Sequence, residues 1–280
     1  MREQVDRLIE KGNVDKLVAV LSGAGVQDFR YVSRRMNELL DDGKLLQHTD
    51  KFTRSNDAAS RHLACQMIPY AYRENRNQAF ELLTRLAKDD DWTLRDAAAG
   101  IAGRLLCADF AKALELLRPW AKDDSIALRR CVVIAAMRAS KPNRLERAEP
   151  LLKLLEPLLE DDDGQLRKNL GPSALAIHLL RDYPTLTFEY LVKWSTSNVP
   201  QVLWNVAMAF SGPSAAPLVK KALIVLRKLS LDERRYVWRA VSSAMWKLGR
   251  RRPEIVRPEL SRWLEDEQRG DVAREALKHL

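Results

Sequence analysis

The chain has 280 residues, 46% hydrophobic and 30% charged, with 47 Lys and Arg against 38 Asp and Glu, the balance of a folded soluble protein. Eleven Gly and twelve Pro are too few for a turn-rich all-β fold. No apolar run approaches the ~20 residues of a membrane-spanning helix, so no membrane role is expected.

The opening MREQVDRLIEKG lacks an apolar h-region, which predicts no secretory leader and a cytoplasmic protein. Residues 1–56 are helical in pattern but share little with residues 57–280, and are read as an N-terminal helical cap. Helical periodicity runs through the rest, and no strand pattern competes with it. Cys65, Cys107 and Cys131 are odd in number and match no zinc spacing, which predicts reduced core thiols. His48, His62 and His279 likewise show no ligand spacing, so no metal is expected.

From residue 57 the chain repeats itself. TRLAKDDDWTLRDAAAG, RPWAKDDSIALRRCVVI and EPLLEDDDGQLRKNLG each end one helix, pass an acidic turn, and open the next helix on Leu-Arg. The pairs Leu94-Arg95, Leu128-Arg129 and Leu166-Arg167 lie 34 and 38 residues apart. The pattern extends back to Ser60-Arg61 and forward to Leu203-Trp204, Val237-Trp238 and Val272-Ala273. Leu86, Trp120, Leu158, Trp194, Leu229 and Trp263 lie eight or nine residues before such positions, as anchors ending the second helix of each unit. Carboxylates at 89–91, 123–124 and 161–163 are placed to cap the next helix. A two-helix unit cannot bury its own apolar faces, so neighbours must stack. The predicted fold is all-α, a right-handed α-solenoid of HEAT-like helical hairpins over residues 57–280 as one continuous domain.

Equivalent positions in such a stack form a column. The residue after each landmark pair reads His62, Asp96, Arg130, Lys168, Asn205, Arg239, Arg274. Asp96 is the one acidic member. A row of cations at this spacing suits a phosphate backbone; it equally suits an exposed basic face with no ligand. Residues 201–280 hold 16 basic against 9 acidic residues. Arg234, Arg235 and the run Arg250-Arg251-Arg252 add to that surplus, the run also being placed to serve a helix C-terminus. Trp204, Trp238 and Trp246 lie on the first-helix side, where both core packing and base stacking are open to them.

The segment from about 80 to 194 resembles the HEAT-like DNA alkylation repair enzymes, the alkylpurine DNA glycosylases of AlkD type. The resemblance rests on Trp92-x-x-x-Asp96, on LRPWAKDDSIALRR with Arg130, and on QLRKNL followed by RDYPTLTFEYLVKW. It implies that Trp92 and Asp96 hold the damaged nucleotide and carry catalysis, and that Arg130 grips the DNA. With the column, it implies DNA contacts from Lys168, Asn205, Arg239, Arg274 and the neighbouring Arg235. The implied reaction excises N3- or N7-alkylated purines by hydrolysing the N-glycosidic bond, without metal or organic cofactor, on duplex DNA and as a monomer. The family's second site tryptophan has no counterpart: residues 169–172 read Asn-Leu-Gly-Pro. Two alternatives stay open, a non-catalytic relative that binds branched or distorted DNA, and a protein-binding HEAT scaffold.

Overall fold

The computed structural model describes residues 2–11, 13–21, 23–41 and 43–280. Among the described residues every regular element is helical. The helices are α1 (Arg2–Glu10), α2 (Leu17–Val20), α3 (Val26–Leu39), α4 (Lys44–Thr53), α5 (Ala58–Glu74), α6 (Arg76–Ala87), α7 (Trp92–Ala108), α8 (Phe110–Leu117) and α9 (Ile126–Ala139). They continue as α10 (Ala148–Leu155), α11 (Gly164–Asn169), a π-helix (Leu170–Leu179), α12 (Leu180–Asp182), α13 (Pro184–Trp194), α14 (Pro200–Ala209), α15 (Val219–Leu229), α16 (Arg235–Arg251), α17 (Pro253–Leu264) and α18 (Gly270–Leu277). No single described helix is long and apolar enough to cross a membrane.

The chain divides into two compact units, Met1–Cys131 and Val132–Leu280. In the first, α5 packs on α3 and α7 as well as on its hairpin partner α6. In the second, α16 packs on α14 and α18 as well as on α17. In each unit, α5 and α16 therefore meet both a hairpin partner and the helices two places away, which is how thin hairpins bury their apolar stripes.

The landmark positions are the seams of that packing. Ser60, Leu94, Leu128, Leu166, Leu203, Val237 and Val272 are all buried, as are the anchors Leu86, Trp120, Leu158, Trp194, Leu229 and Trp263. Two buried anchors satisfy their indole N–H on a carboxylate: Trp194 Nε1 donates to Glu156 at 2.8 Å and Trp263 Nε1 to Glu259 at 2.8 Å. Trp120 instead lies against Phe80, ring centres 4.6 Å apart. Cys65 and Cys131 are buried free thiols, and burial pushes each up to about 12.

The acidic turns cap as their sequence requires. Asp91 accepts from Thr93 N, Asp123 from Ser125 N, and Asp163 from Gln165 N and Leu166 N. At the first three landmarks the arginine then closes the turn from the other side. Arg61 donates to Ser55 O and Asn56 O, Arg95 to Asp89 O and Asp90 O, and Arg129 to Asp123 O and Asp124 O. The offset is the same each time, six and five residues back. In each case one guanidinium nitrogen, Nη1, satisfies two carbonyls of the turn between the helices.

Candidate nucleic-acid interface

Trp92 is the first residue of α7, set there by the Asp91 cap. The Thr93 hydroxyl hydrogen bond, seconded by the Thr93 amide, holds the Asp91 carboxyl below the usual range. A first-turn residue has no preceding turn to pack on, and Trp92 is left 66% exposed. One turn later, the Asp96 side chain is 44% exposed, with Oδ1 at 2.7 Å from Arg130 Nη1 of α9. On the other side, His62 Nε2 of α5 meets Thr93 Oγ1 at 3.2 Å while its ring stacks on Phe29. An indole, a carboxylate and a guanidinium thus share one open face of the first unit. Arg130 both screens the carboxylate and keeps it oriented. A partly exposed ion pair of this kind contributes only about 0–1 kcal/mol to stability.

The same face continues along α5 and α7. Gln66 is one turn beyond His62, and Arg104 two turns beyond Asp96, with Arg104 Nη2 donating to Gln66 Oε1 at 3.0 Å. They help line a hollow of about 530 Å³ with Arg2, Arg30, Arg34 and Arg73 and the rings of Tyr31 and Tyr70. Among the described residues no carboxylate lines it. Sequence reading missed this cluster because its members are scattered from residue 2 to residue 104, and only helix packing gathers them.

In the second unit, Lys168, Arg235, Arg239 and Arg274 are exposed. Lys168 and Arg235 have no acidic partner among the described residues. Arg239 lies 4.0 Å from Glu275 and Arg274 pairs with Asp271 at 2.8 Å. Asn205 does not belong with them. It is fully buried, its Nδ2 donating to Leu159 O and Gln201 O and its Oδ1 accepting from Gly171 N. The expected DNA contact from Asn205 is thereby corrected: every polar atom of this amide is used inside the protein.

That amide explains the neighbouring irregularity. In an α-helix the amides of residues 171 and 172 would bond the carbonyls of residues 167 and 168. Gly171 gives its N–H to Asn205, and Pro172 has none. The helix widens to i→i+5 bonding over Leu170–Leu179, the insertion geometry often found at working sites. Gly171 fits the close approach here, because an added Cβ would lie 2.8 Å from Asn205 Oδ1.

Trp204 is taken by structure as well. It stacks on Tyr236 with ring centres 5.9 Å apart, under the Arg167 guanidinium at 5.2 Å. Arg167 also donates to Tyr236 Oη at 2.8 Å. Arg167 leaves the turn-closing role of the other landmark arginines to tie α11, α14 and α16 together.

Known proteins place the chain in a family. The family model described as DNA alkylation repair enzyme matches residues 18–183. The crystal structure of smu.31 from Streptococcus mutans UA159 aligns over 99% of this chain and 97% of that one, at 14% identity and a TM-score of 0.35, a likeness too slight to carry function. No curated protein matches the sequence.

Proposed function

This chain belongs to the DNA alkylation repair enzyme family, and we propose that it is a DNA glycosylase that removes N3- or N7-alkylated purines from duplex DNA. The observation that carries the reading is the exposed Asp96 carboxylate, one turn from an exposed Trp92 and oriented by Arg130 at 2.7 Å. Alkylation at N3 or N7 leaves the purine cationic. When the C1′–N bond breaks, its electron pair neutralises the departing base and the sugar becomes an oxocarbenium ion. Asp96 stabilises that charge and accepts the proton of the water that adds at C1′. Trp92 covers the deoxyribose, and Arg130 turns from Asp96 to the lesion phosphate.

In this reading the hairpins form a HEAT-like right-handed solenoid with residues 1–56 as its cap. Lys168, Arg235, Arg239 and Arg274 hold flanking phosphates, and the arginine hollow of the first unit adds further phosphate contacts. The missing aromatic at residues 169–172 favours a second reading, a non-catalytic relative that binds distorted DNA.

One assay separates them. DNA carrying 7-methylguanine should release free base with the native protein. Asp96→Asn should cut release at least a hundredfold, the order expected for a charge-stabilising group, while duplex affinity stays within about threefold. Absence of release by the native protein, with salt-sensitive duplex binding intact, would leave the second reading.

A further inference from the structure

The second unit carries another hollow, of about 520 Å³, between the π-helix, the segment after α14 and the end of α16. Its lining joins apolar Ile177, Pro213 and Trp246 to cationic Lys247, Arg250 and Arg251, the indole and the three cations all carried by α16. Among the described residues no carboxylate lines it. The volume is that of a small-molecule pocket and far exceeds a lone phosphate. Except for Pro172 and Ile177, its lining lies beyond residue 183, where the family match ends.

The basic run at the end of α16 could serve only the helix dipole. The partners argue otherwise. Arg252 is consumed by Glu254 and by Ala216 O. Arg250 and Arg251 have no acidic partner among the described residues, and Arg251 donates to a backbone carbonyl of Lys247. Lys247 is half-buried beside them, and burial, then the Arg251 charge, lower its pKa. Three cations are gathered on one wall without a counter-charge among the described residues, and an anion there would relieve their repulsion. Lys247 and Arg250 both lie over the Trp246 ring, 5.8 Å from its centre, and the His279 ring meets it with centres 5.6 Å apart, so charge and aromatic surface are brought together at this indole. The π-helix matters to this wall, since the segment that replaces ordinary α-helix after Asn169 is the one that presents Ile177, 39% exposed, to the hollow.

We infer that this hollow is a nucleotide site, in which an unpaired base stacks on Trp246 and its phosphate is held by Lys247, Arg250 and Arg251. An inorganic anion would leave the apolar half unused, and an uncharged aromatic would leave three cations uncompensated. A nucleotide uses both. Its natural source is an unpaired nucleotide of bound DNA; a free mononucleotide has the same chemistry. The site does not rest on Asp96 or on base excision.

The test uses the full chain and lesion-free DNA. Two labelled duplexes of equal length are titrated by fluorescence anisotropy, one fully paired and one with a single bulged nucleotide. The native protein should prefer the bulged duplex by about tenfold, the scale of one stacked base. Trp246→Ala should reduce the preference to below about twofold while leaving paired-duplex affinity unchanged. Trp246→Phe, which keeps a stacking face, should retain most of it and guards against mere misfolding. Arg250→Ala with Arg251→Ala should weaken bulged-duplex binding and flatten its salt dependence by up to about two phosphates' worth. In a second arm, dAMP is titrated against the native protein and Trp246→Ala. Trp246-dependent dAMP binding without a bulge preference would assign the pocket to free nucleotide. Neither preference nor dAMP binding, or a bulge preference that survives in folded Trp246→Ala, would overturn the site.

Discussion

Asp96 and Asn205 occupy the same column in the repeats and have opposite fates. Asp96 is open to solvent and tied to one guanidinium; Asn205 is sealed between helices with all its polar atoms bonded. The column therefore has no single environment, and its chemistry must be read residue by residue. Asn205→Ala would strand the Gly171 amide and take the side-chain donor from the Leu159 carbonyl in the interior. Stability should fall by about 2–4 kcal/mol, the cost of buried groups left without partners. Denaturant unfolding should show the drop, while duplex affinity of the folded variant should match the native protein. A loss of affinity without a loss of stability would return Asn205 to the DNA surface.

At the scale of the element, one glycine decides a helix. Gly171 lets the π-helix approach α14 so closely that an added Cβ would lie 3.1 Å from the Asn205 Cα and carbonyl oxygen as well as against its side chain. Those are backbone atoms, which cannot swing aside. Gly171→Ala should destabilise the protein by about 1–3 kcal/mol, as overpacking does, even though alanine is the better helix former. Thermal unfolding checks this; an unchanged or raised Tm would show that α14 yields. The repeated Leu-Arg pair is the opposite kind of element signal. Its leucine is legible as core, whereas its arginine serves only as a landmark, although an arginine at a fixed distance past each acidic turn is itself the sign of a turn-closing side chain.

For the whole molecule, acid should be more damaging than base. Glu259 is buried, held by the Arg227 fork at 2.6 and 2.8 Å and by Trp263, and these bonds set its pKa below the ordinary value. Burial disfavours ionised Asp182, but hydrogen bonds from Arg181 and Ser140 outweigh it and the net shift is downward. The amide of Ser125 and then Lys88 lower Asp123. A carboxyl with a depressed folded pKa contributes stability above its unfolded pKa and loses it as pH falls through the folded one. Stability should hold steady from pH 7 to about 5 and decline below about 4, where unfolded Asp and Glu take up protons. Glu259→Gln should be less stable at pH 7 and lose less between pH 5 and 3. Urea midpoints across that range give the answer, and parallel profiles for the two proteins would remove Glu259 from the account.

The sequence by itself determined the helical class, the hairpin period, the buried seams and anchors, and the capped acidic turns. All of these are local or periodic, so composition and spacing carry them. It also put Trp92 and Asp96 on one helix face, because four residues make one turn. Tertiary structure alone decided which column members reach solvent, since that depends on how closely neighbouring helices approach. A glycine at 171 and a proline at 172 brought Asn205 inside. The same packing gathered the arginine hollow from residues 2 to 104 and the Trp246 hollow from residues 172 to 251. Contacts between residues so far apart in the chain leave no periodic trace in the sequence.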